Sequence, residues 1–173
     1  MKRALLTVGL TCFGLLSPAW AEFQDGLQAY YRLDFRTALR EWQPLAERGD
    51  PKASYQLGIL YYRGEGVVQD YAEAAKWFEQ AAEAGDADAQ YNLGLMYANG
   101  QGVAKDLVRA HLWFTLAASG YADGTGRDWA IQDPNWAARN RNWSAAQLTP
   151  EEIAEAWRLI QEWRANHQTA ERR

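Results

Sequence analysis

The chain has 173 residues, a formal charge of −4 at pH 7 and one cysteine, Cys12. A single domain of this size buries roughly 70% of its unfolded surface, enough to hold a fold by packing alone. Its acidic residues are spread through helical stretches, and its tail arginines (Arg139, Arg141, Arg158, Arg164) interleave with Glu151, Glu152, Glu155 and Glu162. That pattern excludes the clustered basic face of a nucleic-acid binder, so no nucleic-acid partner is expected.

Residues 1–21 read as an export leader. Lys2 and Arg3 precede the apolar run Ala4 to Leu16, which is too short to span a bilayer, and Ala19-Trp20-Ala21 places small residues at the two positions that mark a cleavage site. Cleavage after Ala21 predicts a periplasmic or secreted protein. It removes Cys12, so no disulfide or thiolate ligand remains, and no later run is apolar enough for a membrane span.

Residues 22–121 are then periodic. The run GILYYRGEGVVQD at 58–70 returns as GLMYANGQGVAKD at 94–106. Three stretches start at Asp34, Asp70 and Asp106 and carry apolar residues on one helical face: Ala38, Trp42 and Leu45-Ala46, then Ala74, Phe78 and Ala81-Ala82, then Ala110, Phe114 and Ala117-Ala118. Gly49, Gly85 and Gly120 are placed to close these helices in the left-handed conformation. Asp50-Pro51 and Asp86 then open a second kind of helix, with Ala53/Ala89, Leu57/Leu93 and Leu60-Tyr61/Met96-Tyr97 as its buried stripe. Gly58 and Gly94 lie inside those helices at a cost of about 1 kcal/mol each against alanine, which implies a neighbouring helix crossing too closely for a side chain. Asp70 with Glu73 reads as a capping box, while Asp106 with Arg109 keeps only the cap. The units are 50–85 and 86–121, preceded by a shortened unit, 22–49, in which 23–32 forms the first helix and Leu33-Asp34 turns directly into the second.

Residues 122–148 depart from the repeat. Trp129, Trp136 and Trp143 recur through an irregular segment that Pro134 interrupts. They pack beneath the following helix, or they form an aromatic platform for a glycan or peptide, with Asn135, Arg139, Asn140, Arg141 and Asn142 as its polar rim. Thr149-Pro150-Glu151-Glu152 is a strong helix start, and the helix at 149–167 carries the stripe Ile153, Ala156-Trp157, Ile160 and Trp163, suited to capping the last repeat before the tail 168–173.

Catalytic patterns are missing from the linear sequence. The glycine loops follow helices, lack the third glycine of a dinucleotide turn and contain no Gly-Lys-Ser/Thr. His111 and His167 are the only histidines and neither has metal-ligand spacing; His111, beside Ala110, reads as exposed or partly packed. No Gly-x-Ser-x-Gly occurs, and no two carboxylates stand out as a hydrolytic pair, which leaves hydrolase as a third reading behind adaptor and glycan binder. The expectation is a protein that is not an enzyme, with no cofactor and no metal.

The pattern Ala-x-x-x-Leu-Gly-x-x-Tyr-x-x-Gly-x-Gly-Val-x-x-Asp, followed by an alanine and an aromatic, stands at 53–78 and again at 89–114 and resembles the Sel1-like repeat, a relative of the tetratricopeptide repeat. The resemblance implies an all-α fold: a right-handed α/α superhelical solenoid of helix pairs, closed here by the C-terminal capping helix. It implies a role in holding protein partners, in envelope assembly, polysaccharide export, signalling or host contact. The mature chain lacks the paired cysteines of the branch linked to β-lactam compounds, so that activity does not carry over. Between the two copies the positions Ser54/Gln90, Gln56/Asn92, Tyr62/Ala98 and Arg63/Asn99 differ, and residues released from the packing rule are where specificity can sit. The candidate groove residues are Tyr30, Tyr31, Gln56, Tyr62, Arg63, Asn92 and Asn99, for a protein or peptide partner in the cell envelope. Peptidoglycan or polysaccharide at the tryptophans is the alternative.

Overall fold

The computed structural model describes residues 18–123 and 135–170. Among these residues the chain forms eight α-helices: α1 (Pro18–Tyr31), α2 (Phe35–Glu47), α3 (Pro51–Arg63), α4 (Tyr71–Glu83), α5 (Ala87–Asn99), α6 (Leu107–Ala122), α7 (Trp136–Ala145) and α8 (Pro150–Ala170). Each helix from α1 to α7 packs on its neighbour in sequence, and α8 returns to α6. A chain whose elements pack mainly on their neighbours in sequence is a solenoid.

The caps explain where the helices begin. Asp50 Oδ1 accepts from the Ala53 amide at 2.8 Å, Asp86 Oδ1 from Ala89 at 2.9 Å and Asp106 Oδ1 from Arg109 at 2.9 Å. Each such cap contributes about 1 kcal/mol. At Asp70 only half of the expected capping box forms. Its Oδ1 accepts from Ala72 and Glu73, but the Glu73 carboxylate turns to Lys76 at 2.7 Å, because the Asp70 amide already donates to the Tyr61 carbonyl. The reciprocal box is made at Thr149: the Glu152 amide donates to Thr149 Oγ1 at 3.2 Å, and the Thr149 amide donates to Glu152 Oε2 at 2.8 Å.

The core is built on one contact made three times. Trp42, Phe78 and Phe114 are fully buried, and each ring lies over a glycine in the preceding helix: Gly26, Gly58 and Gly94. A Cβ placed on Gly58 would stand 2.5 Å from Phe78 Cδ1, and one on Gly94 would stand 2.7 Å from Phe114 Cδ1. The close crossing expected at Gly58 and Gly94 is therefore present. Gly26, inside the shortened unit, repeats it, and the Trp42 indole there also donates to the Phe23 carbonyl at 3.2 Å. The second loop glycine carries a different constraint. Gly102 has φ +70, and a Cβ on it would fall against the Tyr71 carbonyl and within 2.7 Å of the Ala72 amide nitrogen. The loop after α5 thus rests on the first turn of α4, and Val103 packs against the core beside it.

Two expectations are corrected here. Gly120 does not close its helix: α6 continues through it to Ala122 and ends at Asp123, whereas Gly49 and Gly85 do adopt φ +90 and +88. The segment 122–148 is not wholly irregular, since α7 forms within it. Its own amphipathic pattern is weak, and it is held by Ala137 and Ser144 buried against the stack, with α6 as its main support. The last helix also runs past 167 to Ala170.

Three alanine substitutions separate these glycine roles in urea unfolding. Gly85→Ala, with nothing within 4 Å, meets only the left-handed backbone penalty of about 1 kcal/mol. Gly94→Ala displaces a buried ring at about 1–3 kcal/mol, partly offset by better helix propensity. Gly102→Ala meets both a positive φ and fixed backbone, so it should be the most damaging of the three. Equal losses at all three would mean that the ring and backbone contacts do not set stability.

Candidate functional site

The C-terminal ends of α1, α3 and α5 share the loop edge of the stack, since Arg63 reaches Tyr30 and Tyr62 reaches Gln101 just past α5. Tyr31 (74% exposed), Arg63 and Asn99 occupy those ends and are all open to solvent. Tyr30 and Arg63 are brought together: Arg63 Nη1 donates to the Tyr30 hydroxyl at 2.9 Å and lies 3.7 Å from Glu65 Oε1. The Tyr30 ring packs 5.3 Å from Phe35 and 5.8 Å from Trp42, and burial raises its hydroxyl pKa above the ordinary tyrosine value. Tyr62 is half-buried, edge-on to Tyr71 at 5.2 Å, with its hydroxyl 3.5 Å from Gln101 Oε1. Asn92 is half-buried on α5. Gln56 is only 3% exposed and so cannot line a groove. Its neighbours on α3 and the adjoining helices bury that face.

The variable positions 54 and 90 turn out to be structural. Ser54 and Gln90 are both buried. Gln80 on α4 donates to the Ala46 carbonyl at 2.6 Å and to Ser54 Oγ at 2.9 Å, tying α4 to the end of α2 and the start of α3. One repeat later the place of Gln80 is taken by Leu116, and Gln90, standing where Ser54 stood, donates to the Ala82 carbonyl at 3.1 Å. The same helix-end carbonyl is served from two directions. The signal was present in sequence as two coupled differences, Ser54/Gln90 and Gln80/Leu116, of which only the first was singled out.

Trp136 and Trp143 lie two turns apart on α7 and are 48% and 47% exposed, so they share an open face. Trp129 lies outside the described residues. Asn140 of the expected rim points back into the stack, donating to the Tyr91 hydroxyl at 3.2 Å and to the Trp136 carbonyl at 3.1 Å. Arg141 turns to its neighbour, Nη2 donating to Asn142 Oδ1 at 3.1 Å. What fixes α7 is His111, which sequence reasoning placed at or near the surface and which is 4% exposed. Its Nδ1 faces the Arg141 carbonyl at 3.1 Å and Ser144 Oγ at 3.0 Å, while Ser144 Oγ itself donates to the Arg141 carbonyl at 2.8 Å. A carbonyl can only accept, so the network assigns the proton to Nδ1. Burial lowers the His111 pKa below 6.5, and the Arg141 charge lowers it further against the opposing pull of the carbonyl.

Among the described residues no group of three or more histidine, cysteine or carboxylate side chains is arranged to hold a metal ion, and no helix is long and apolar enough to cross a membrane.

Stacked helix pairs, glycine-mediated crossings and a single line of neighbour contacts define an α-helical repeat protein. The Sel1 repeat family model matches residues 51–86 and 87–121, so the chain carries two Sel1 repeats. No curated protein matches it. Among solved structures, it is similar to a protective antigen present in uropathogenic Escherichia coli strains that displays an SLR fold, with 28% identity and a TM-score of 0.71 over 85% of this chain and 30% of that one. It is also similar to a Sel1 repeat protein from Oxalobacter formigenes, with 38% identity and a TM-score of 0.55 over 59% of this chain and 31% of that one. The chain thus spans about a third of the length of each, and all three share the Sel1-type solenoid.

The His111 contact makes a pH prediction. Its folded pKa is depressed, so the stability linked to it is fully present above 6.5 and is lost as pH falls from 6.5 through the folded value. Urea midpoints measured from about pH 8 to about pH 5 should fall more steeply for the wild type than for His111→Gln. Parallel curves would remove His111 from the account of how α7 docks.

Proposed function

We propose that the protein is an exported, non-enzymatic adaptor that holds a protein or peptide along the loop edge of its repeat stack. The observation that carries this reading is the open row Tyr31, Arg63 and Asn99 on successive first helices, at positions the repeat leaves free, beside the half-buried Tyr62 and Asn92. Such a row offers aromatic, cationic and amide groups at regular spacing, which is how a solenoid reads an extended partner. Sel1 repeats usually serve protein–protein interaction, and the antigenic relative is consistent with a place outside the cytoplasm.

Photo-crosslinking in the native host tests the surface. A crosslinkable residue at 63 or 99 should trap one discrete partner, while the same residue at the exposed Arg40 on α2 should not. Identical adducts at all three positions, or none at 63 and 99, would sink the reading. Export is tested separately by intact mass: cleavage after Ala21 yields a chain beginning at Glu22. That chain keeps Phe23, whose carbonyl anchors Trp42, and loses only the first turn of α1. A periplasmic fraction devoid of the protein, or a chain retaining residues 1–21, would reject the leader.

A second reading rests on α7. The open faces of Trp136 and Trp143 suit stacking on the apolar face of a sugar, as in peptidoglycan or a polysaccharide. Co-sedimentation with peptidoglycan should then be lost on Trp136→Ala, and persistence of binding in that variant would count against a glycan platform.

A further inference from the structure

The turn edge of the stack, opposite the loop edge, holds a cleft of about 680 Å³ between the α4–α5 turn, the end of α6 and the end of α8. That volume falls within the roughly 300–1,000 Å³ of small-ligand sites. Its walls carry the guanidinium of Arg164 on α8 and the carboxylate of Asp123, the residue that caps the end of α6. The two do not pair with each other. Arg164 Nη2 donates to Ser119 Oγ at 3.3 Å, a neutral partner that holds the guanidinium in place and leaves its charge uncompensated among the described residues.

The same cleft is lined by an aromatic shelf. The His167 ring stacks on Trp163 with centroids 3.6 Å apart and planes 18° from parallel. The stack is pinned, since His167 Nδ1 bonds the Trp163 carbonyl at 2.9 Å and Nε2 bonds the Glu83 carbonyl of α4. Leu116 adds an apolar floor, and Gly85 leaves the turn backbone bare, with nothing within 4 Å of where its Cβ would be. Leu116 is available here because Gln90 has taken over the bonding that Gln80 performs one repeat earlier. The cleft therefore offers a held guanidinium, a separate carboxylate at a helix end and an apolar surface in the same lining.

We propose that this cleft binds a small zwitterion of the peptide class: a free short peptide whose carboxylate meets Arg164, whose ammonium meets Asp123 and whose apolar side chain lies on Trp163 and Leu116. A cleft that presents both a guanidinium and a carboxylate favours a zwitterion over a simple anion, which the Asp123 carboxylate would repel. Guanidinium–carboxylate pairing in a partly enclosed, partly apolar site is among the stronger polar contacts. The site is separate from the loop edge, so its fate does not decide the adaptor reading.

The test is an amide-detected NMR titration of the full chain with L-alanyl-L-leucine. Saturable shifts should centre on Gly85, Ser119 and the Trp163 indole. The C-terminal amide of the dipeptide, its N-acetyl form, and the variants Arg164→Gln and Asp123→Asn should each weaken binding by about tenfold or more. Amidation should cost little further in Arg164→Gln, because the partner of the carboxylate is already gone. The blocked peptides act on the wild-type protein, so they decide the matter even where a variant melts early. Absence of saturable shifts, blocked peptides that bind as well as the parent, or shifts centred on Tyr62 and Arg63 would each overturn the proposal.

Discussion

The fold depends on the approach of a buried aromatic ring to a bare helix backbone. Trp42 over Gly26, Phe78 over Gly58 and Phe114 over Gly94 set the distance between the helices of each pair. Any side chain at the glycine would push the second helix outward. That displacement would pass down the stack, because each unit rests mainly on its neighbours. Interiors are close-packed and do not absorb such shifts smoothly. The glycines lower local helix propensity, and the ring contacts more than offset it. The same geometry holds for an indole in the first unit and for phenyl rings in the next two, which shows that the flat face, rather than one residue type, is what the crossing requires.

The ends of the stack are handled differently from its middle. The first unit dispenses with the glycine loop and bends at Leu33, which takes φ +63, a conformation that favours glycine. At the other end α7 packs on α6 much as α3 packs on α2, extending the array by one helix, and α8 then crosses back instead of completing a pair. Its Ile160 is buried in the main core, and its far end reaches α4 through His167 and Glu83. The cap thus bridges two units, and the cleft at its end is a by-product of that return path.

Much of this architecture could be read from residues, because repeat geometry writes itself twice. The caps at Asp50, Asp86 and Thr149, the buried stripe and the crossings at Gly58 and Gly94 followed from helical period and phase. The tail was less legible. Helix α7 has almost no amphipathic pattern of its own and exists because His111 and Tyr91 bind it from other helices, a tertiary effect that no local window contains. Site prediction was weaker for a related reason. Variation between copies marks positions free of the repeat's shared packing rule, but freedom from that rule does not mean exposure. It pointed to Arg63 and Asn99, which are open to solvent, and it also included the buried Gln56, Ser54 and Gln90.

The alternation of Gln80 and Gln90 has a consequence for how the chain finds its fold. Near-identical units invite errors in which a helix docks on the wrong copy, a characteristic hazard of repeat proteins. If α6 took the place of α4 on the first unit, Leu116 would face Ser54 and the Ala46 carbonyl with nothing to donate. The two hydrogen bonds from Gln80 would be lost, at about 1 kcal/mol each, while the Ala46 carbonyl keeps the Gly49 amide and Ser54 Oγ keeps the Asp50 carbonyl. The hydrophobic stripe alone would accept either helix, since both carry alanine, phenylalanine and an alanine pair in the same phase. The glutamines therefore act as an address: they tell the chain which copy is which, using hydrogen bonds where the apolar code is ambiguous.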